Sequence, residues 1–231
     1  MICFAKLPLA IPITEIQNEI NGIKQSWYPH LNLHDYQGRW EIISLRSPGG
    51  MISNINPDGN EDIEFTDTPL MNICPSIKQI TTELQCPIMA VRLLNLKGGA
   101  KIKPHKDYDL AFEKGEARIH IPIFTNHLVK FYVEENLIKM HEGTCWYINA
   151  NLEHRISNNG VTDRIHLVID CRVSDNIINL FDKADKTIRD EDYNVTEKLL
   201  VIETLRQHNS ATSSKLADDL EIEINTYLSN K

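Results

Sequence analysis

Two histidines and one aspartate form the most informative pattern of the chain, since His105 and Asp107 are one residue apart and His154 follows later. Side chains alternate along a β-strand with period 2, so a strand that carries His-x-Asp points both groups to one face. With His154 on a later strand, the three groups could form the facial triad that holds non-haem Fe(II). Taken alone, however, a His-x-Asp string at a strand end is more often a solvated surface feature.

Two further segments alternate polar and aliphatic residues, Arg118-Ile119-His120-Ile121 and Arg164-Ile165-His166-Leu167. Charged side chains that face inward from two strands of a barrel are costly unless they are paired or bind an anion. An arginine fork matches a carboxylate and stays charged, so Arg164 is a candidate anchor for a dicarboxylate co-substrate. The alternative, that both arginines lie on a solvated outer face of a sheet, stays open on the sequence alone.

Short β-branched runs separated by turn residues fill the middle of the chain. The predicted strands are Met89–Leu96, Ile102–Asp107, Ala117–Thr125, Val129–Val133, Cys145–Asn149, Leu152–Ile156 and Arg164–Val173. Turn residues recur about every 8–12 positions, which is typical of a sandwich or barrel. We therefore predict a mainly β protein whose core is a double-stranded β-helix, a cupin-like jelly roll, with α-helices flanking it.

Helical patterns precede the predicted strands. Thr14 and Gln17 have the spacing of a capping box, with a stripe of isoleucines behind them, and a second amphipathic helix begins at Pro75. Between the two, from about Gly50 to Pro69, the chain is rich in Asn, Asp, Pro and Gly. A polar stretch of this length predicts a surface loop and is a candidate lid.

Beyond residue 173 the pattern becomes helical and polar. We predict a double-stranded β-helix domain over residues 1–180 and a small helical C-terminal appendage over residues 181–231. Two helices joined by a polar turn faintly resemble a helix-turn-helix unit. The segment is mostly acidic, and contacts to DNA phosphates need Lys and Arg, so a packing or partner-binding role is favoured.

Composition narrows the partners and the compartment. The 231 residues carry a net charge of −8, which argues against binding to nucleic acid or to an anionic membrane surface. No apolar run approaches the roughly 18–20 residues of a membrane span. The five cysteines are scattered without a C-x-x-C pattern, which favours a reduced, cytoplasmic setting over a disulfide framework. The oligomeric state stays undetermined.

Several ordered motifs together carry a family resemblance. They are Val91-Arg92-Leu93-Leu94, Pro104-His105-Lys106-Asp107, Arg118-Ile119-His120-Ile121-Pro122, Glu142-Gly143 followed by Trp146, Asn149 and His154, and Arg164-Ile165-His166-Leu167. From about Trp40 to Asp170 the chain resembles the aspartyl/asparaginyl β-hydroxylase family of Fe(II)/2-oxoglutarate dioxygenases. It is also similar to bacterial proline hydroxylases with the same spacing.

The resemblance implies roles for individual residues. The positions that match iron ligands are His105, Asp107 and His154. Arg164 matches the arginine that pairs with the distal carboxylate of 2-oxoglutarate. Arg118 and His120 match positions near the co-substrate or the substrate carboxylate, without a decision between the two. Asp107 groups this chain with the members that have a complete triad.

The function that the resemblance implies is hydroxylation of an aliphatic carbon of an amino-acid side chain. The substrate would be Asp-, Asn- or Pro-like, either a free amino acid or a residue of a peptide. The reaction would consume O2 and 2-oxoglutarate and release succinate and CO2. The alternative is a non-catalytic jelly-roll module that binds a small carboxylate or a metal without turnover.

Some residues have two interpretations at this level. Four apolar residues could line the substrate cavity or belong to the ordinary core, namely Ile121, Ile123, Trp146 and Ile148. Arg46, which follows the predicted strand Trp40–Leu45, could contact a substrate carboxylate or lie at the surface.

Overall fold

The fold is given by a computed structural model, which describes residues 1–56, 63–107, 110–189, 195–208 and 210–229. The strands are β1 (Ile2–Leu7), β2 (Tyr28–Pro29), β3 (Tyr36–Gln37), β4 (Trp40–Pro48), β5 (Phe65–Asp67), β6 (Ile88–Leu96), β7 (Lys101–His105), β8 (Glu116–Phe124), β9 (Val129–Val133), β10 (Asn136–Ile138), β11 (Cys145–Ile148), β12 (His154–Asn158), β13 (Arg164–Arg172) and β14 (Asp185–Ile188). The α-helices are α1 (Ile13–Asn21), α2 (Pro75–Glu83), α3 (Asp175–Asp182), α4 (Val195–Gln207) and α5 (Ala211–Ser229).

Two antiparallel sheets form the core. The large sheet has the order β14-β1-β11-β8-β13-β6-β4-β2, with β5 paired to β4, and the small sheet has the order β10-β9-β12-β7-β3. Strands that are distant in sequence are neighbours, as when β1 pairs with β11 and β13 pairs with both β6 and β8. This topology confirms the prediction of a mainly β, double-stranded β-helix (jelly-roll) core with flanking helices.

Alternation along the large sheet separates two hydrophobic cores. On β8, Ile119, Ile121 and Ile123 belong to the outer core, which also contains residues of α1 and α2. The opposite face of the sheet contributes Leu94 and Val168 to an inner core that it shares with the small sheet. Period 2 therefore gives every central strand one face for the helices and one face for the space between the sheets.

The first helix begins differently from the predicted capping box. It starts at Ile13, the residue before it is Pro12, and no side chain caps its first turn. Gln17 instead donates a hydrogen bond of 2.8 Å to the carbonyl of Ile123 on β8. The capping box is therefore wrong, because the glutamine is used to attach the helix to the sheet.

The predicted lid falls only partly within the described structure. Residues 57–62 of that loop lie outside the described residues. Its second half contains β5, which pairs with β4 from Arg46 to Pro48. Part of the predicted loop is therefore an additional edge strand of the large sheet.

Residue contacts divide the chain into two compact units, Met1–Arg189 and Asp190–Lys231. The sequence predicts a boundary near residue 180, whereas the contacts place it between Arg189 and Asp190. The first unit extends further because β14 pairs with β1 and belongs to the large sheet. The second unit contains α4 and α5, which pack around Ile202, Ala217 and Ile224. That the two units are separate functional domains stays a prediction.

All five cysteines are free thiols, and Cys3, Cys74, Cys145 and Cys171 are buried. They pack as small apolar side chains. Among the helices of the described residues, none combines the length and the apolar character that a membrane span requires.

Ile121 provides a test of the division into two cores. It is fully buried in the outer core, so Ile121→Ala should lower the free energy of unfolding by about 2–5 kcal/mol through lost contacts and the cavity left behind. Ile178→Ala removes the same atoms from a side chain that is 42% exposed and serves as the control. Urea titration followed by circular dichroism measures both, and equal midpoints for the two variants would contradict the assignment.

Candidate functional site

A cavity of about 460 Å³ lies between the two sheets. Its walls come from β4, β6, β8, β11 and β13 of the large sheet and from β7, β9 and β12 of the small sheet. Six residues that the sequence singles out all line it, namely His105, Asp107, Arg118, His120, His154 and Arg164. The motifs therefore converge on one space, although they are spread over sixty residues.

Two histidines and an aspartate meet at one end of this cavity. The possible ligand atoms of His105, Asp107 and His154 all lie within 4.8 Å of one another. His105 and His154 are direct cross-strand partners, and their ring centroids are 4.2 Å apart. Nε2 of His105 lies 3.8 Å from Oδ1 of Asp107. Two imidazole nitrogens and one carboxylate oxygen are thus close enough to share a single metal ion.

A β-bulge brings the first histidine to the inner face. His154 pairs with His105 and Ile156 pairs with Ile102, so β7 has one residue more than β12 in this interval. Strict alternation would put Ile102 and His105 on opposite faces, yet both line the cavity. The extra residue in β7 turns the side chain of His105 to the cavity face, and bulges often redirect a side chain in this way beside functional sites.

Asp107 lies beyond the strand that carries His105. The sequence predicts both groups on one strand, but β7 ends at His105. The amide of Asp107 donates a 2.8 Å hydrogen bond to the carbonyl of Ala150, which lies outside β12. The prediction is therefore wrong in detail, although both side chains reach the same cavity.

Backbone carbonyls fix both imidazole rings. Nδ1 of His105 donates to the carbonyl of Lys103 at 2.9 Å, and Nδ1 of His154 donates to that of Leu152 at 3.0 Å. Burial, followed by the proximity of His105, lowers the pKa of His154 to about 4. The neutral ring with its proton on Nδ1 leaves Nε2 free to bind a metal. The donor set and its tautomers fit a divalent ion such as Fe(II).

A buried ion network supports the carboxylate. Arg118 donates from Nε to Oδ1 of Asp170 at 2.7 Å and from Nη2 to Oδ2 at 3.0 Å. Its Nη1 donates to Oδ2 of Asp107. Arg92 donates to the same Oδ2 of Asp170 at 2.6 Å. Burial alone would raise the pKa of Asp107, but the guanidinium charge of Arg118 holds it below its usual value.

The second deep arginine has no carboxylate partner among the described residues. Arg164 is only 1% exposed, and its Nη2 donates to Nδ1 of His166 at 2.8 Å. Its Nε has no hydrogen-bond partner in the described part of the chain. Burial lowers the pKa of Arg164 to about 9, so the group still carries its charge at neutral pH. A desolvated cation in this state is a ready site for an anion.

His120 lines the same cavity as the two arginines. It is buried, and its Nδ1 is without a partner among the described atoms. Its ring is 5.9 Å from that of His166, measured between centroids. Burial, together with the charges of Arg164 and Arg118, lowers the pKa of His120 well below its usual value. The ring is therefore neutral and can direct one nitrogen to a bound molecule.

Of the four apolar residues that could line the cavity or belong to the core, most lie outside the cavity lining. Ile121 and Ile123 belong to the outer core, on the face that points away from the cavity. Ile148 does line the cavity. The indole nitrogen of Trp146 donates to Oγ1 of Thr144 at 2.8 Å, and this side chain is not among the cavity-lining residues.

Arg46 is also outside the residues that line the cavity. Its Nη1 pairs with Asp67 at 2.8 Å, and its Nε donates to the carbonyl of Ile88 at 3.1 Å. The arginine therefore joins β4 to β5 and β6, and its side chain is neither at the cavity nor fully exposed at the surface.

The sequence gives little signal for one further part of the wall. His30 and Trp40 are stacked, with ring centroids 3.5 Å apart and planes inclined by 6°. Both line the cavity, and burial, with the charge of Arg92, lowers the pKa of His30 to about 4. His30 carries no motif spacing, so only the fold identifies it.

A model of the aspartyl/asparaginyl beta-hydroxylase family matches residues 7–173 of the chain. L-proline cis-4-hydroxylase from Rhizobium meliloti (strain 1021) is 29% identical over 141 residues, which are 58% of this chain and 48% of that protein. The matched part therefore spans about half the length of the proline hydroxylase.

Solved structures with related architecture are more distant. One is an oxidoreductase of the 2OG-Fe(II) oxygenase family from Burkholderia pseudomallei, with a TM-score of 0.49 and 11% identity over 70% of this chain and 79% of that one. Another is the viral collagen prolyl hydroxylase of Paramecium Bursaria Chlorella virus-1, with a TM-score of 0.46 and 12% identity over 74% and 97%. Similarities of this size say nothing about the substrate.

The family match extends over most of the sequence and includes every motif on which the resemblance was based. The predicted resemblance is therefore confirmed, and the chain belongs to the aspartyl/asparaginyl beta-hydroxylase family.

Proposed function

We propose that this chain is an Fe(II)/2-oxoglutarate-dependent hydroxylase that acts on an aliphatic carbon of a small amino acid. One observation carries the proposal. A cluster of two histidines and one carboxylate faces the same cavity as Arg164, a buried cation without a carboxylate partner among the described residues. A metal centre and an anion site in one enclosed space are what this reaction class requires.

The metal ligands in this proposal are His105, Asp107 and His154. When bound, iron and 2-oxoglutarate supply the oxidising chemistry with O2, and succinate and CO2 are the products. The carbonyls of Lys103 and Leu152 fix the tautomers of the two imidazole rings, so that Nε2 of each ring is available to the metal.

The co-substrate site in this proposal is built on Arg164. A dicarboxylate that reaches the metal with one end would place its distal carboxylate deeper in the cavity, where a fork of guanidinium nitrogens can receive it. His166 accepts a hydrogen bond from Arg164 without cancelling its charge, since the imidazole is neutral. The unpartnered Nδ1 of His120 supports a contact to the co-substrate as well.

A free carboxylate is the substrate feature that the arginines favour. Arg92 and Arg118 line the cavity and share one carboxylate of Asp170. Nε of Arg92 has no hydrogen-bond partner among the described residues. A residue inside a peptide has no free α-carboxylate, so a site for such a group at the unpartnered Nε of Arg92 supports a free amino acid over a peptide. Because the similar Rhizobium protein is named for L-proline, free proline is the first candidate.

We also propose a reduced compartment, the cytoplasm, as the place of action. The support is limited to the five free thiols, since disulfides are rare where glutathione keeps thiols reduced.

The metal assignment predicts a spectroscopic signature. Fe(II) and 2-oxoglutarate, added without oxygen, should give the weak visible charge-transfer band of the chelate in the intact protein. His105→Ala should lose this band, because it removes one of three ligands. His141→Ala changes an exposed histidine outside the cavity lining and should keep it. Absence of the band from the intact protein would refute the metal assignment.

The co-substrate assignment predicts a loss of affinity in Arg164→Ala. Charge-assisted hydrogen bonds contribute about 1.5–3 kcal/mol, so 2-oxoglutarate should bind about 10- to 150-fold more weakly, as measured by calorimetry on the anaerobic iron-loaded protein. Arg155→Ala is the control, since Arg155 lies on β12 over the ring of Tyr132 at 4.3 Å and outside the cavity lining. Equal affinity in Arg164→Ala and the intact protein would exclude the role.

The substrate proposal is tested by succinate release. Free proline and other small free amino acids should stimulate release, and their C-terminal amides should do so much less, because the amide lacks the carboxylate. Short peptides with internal Pro, Asp or Asn form the comparison set. Stronger turnover with the peptides would reverse the substrate class. Binding of iron and 2-oxoglutarate without turnover of any of these would instead favour the non-catalytic jelly-roll module.

A further inference from the structure

Asp170 is a buried carboxylate that the proposed metal and co-substrate sites do not use directly. It is 1% exposed and lies near the end of β13, on the same face as Arg164 and His166. Its two oxygens accept three hydrogen bonds, two from Arg118 and one from Arg92. A buried acid with this many charged donors fixes their positions, because leaving any of them unpaired would be costly.

The sheet brings Asp170 and Arg118 together directly. They are cross-strand partners between β13 and β8, and directly opposite side chains share one face of the sheet. Two parallel hydrogen bonds, at 2.7 and 3.0 Å, hold the guanidinium plane in one orientation, as bidentate pairs do. The remaining terminal nitrogen of Arg118 then points to Asp107 and donates to its Oδ2.

Asp107 needs such a restraint more than the two histidines do. Each imidazole has its own hydrogen bond to a backbone carbonyl, whereas Asp107 follows the end of β7 and is held through its amide to Ala150. A carboxylate in that position can rotate and exchange its oxygens. The contact from Arg118 occupies Oδ2, and Oδ1 then lies on the side of His105, 3.8 Å from its Nε2.

We propose that Asp170 is a positioning residue for the metal site, acting through Arg118 on the carboxylate of Asp107. The inference rests on the proposed function, since it presumes that Asp107 is a metal ligand. Arg92 completes the arrangement by binding the same oxygen of Asp170 as Arg118, which keeps Asp170 from turning away. Partners of this kind, one step removed from the metal, orient the ligands and tune the affinity.

The test is a titration of the metal-free protein with Fe(II) under anaerobic conditions. Asp170→Asn keeps the shape of the side chain but replaces one acceptor with a donor that opposes Arg118. Fe(II) should bind about 10- to 100-fold more weakly, the range found for such outer partners. Thermal unfolding of the metal-free protein separates a loss of positioning from a merely structural effect. A structural effect would lower the melting temperature and leave the Fe(II) affinity of the folded protein unchanged.

Asp163→Asn is the matched control. Asp163 precedes β13 by one residue, and it pairs with Lys97 at 2.7 Å and with Asn95 at 3.1 Å. It does not line the cavity. The same substitution there removes an ion pair of comparable length, and Fe(II) affinity should stay equal to that of the intact protein. A loss as large as in Asp170→Asn would overturn the positioning role.

Arg118→Lys provides a second variant in case Asp170→Asn does not fold. A lysine keeps the charge, but its single ammonium cannot hold both Asp170 and Asp107 in this geometry, so Fe(II) affinity should again fall. If the intact protein binds Fe(II) tightly and His105→Ala does not, the metal site is as proposed. Unchanged affinity in either folded variant, Asp170→Asn or Arg118→Lys, would then overturn the inference and leave the proposed function intact. Failure of the intact protein to bind Fe(II) would overturn both.

Discussion

Charges that are buried between the sheets must be balanced there, because a buried ion without a partner is unstable. Three buried arginines face two carboxylates in this region, Asp107 and Asp170. Arg92 and Arg118 form ion pairs with the carboxylates, whereas Arg164 donates a hydrogen bond to the neutral ring of His166. Arg164 is thus left without a carboxylate while Arg92 and Arg118 are paired, and in the proposed function this difference separates the place for an anion from the place for a metal.

Strand alternation produces both the stability and the site. On β8 the odd-numbered isoleucines pack against the helices, and the even-numbered Arg118 and His120 face the cavity. The fold therefore exposes polar groups to the inner space without weakening the outer core. On β7 strict alternation would turn His105 away from the cavity, and the bulge opposite β12 corrects this.

Much of this arrangement follows from local patterns. The period-2 segments and their turns predict the central strands to within one or two residues and bring six candidate residues to one cavity. Asp170 shares the pattern of Arg164, but its partner Arg118 depends on the register between two strands about fifty residues apart. Gln17 has the spacing of a cap, and a contact with β8 overrides it. Local signals thus identify the elements, whereas long-range register decides which polar groups meet.

The balance of charge also constrains how the cavity fills. With the buried histidines neutral, the three arginines and two carboxylates of the site together carry one positive charge before any metal binds. A divalent ion alone would raise this charge in a medium that screens poorly. A dianion alone would neutralise Arg164 but leave its other end without a partner. In the proposed function the charges of the metal and of 2-oxoglutarate cancel, so each should favour the binding of the other, and such coupling is reciprocal by thermodynamic necessity.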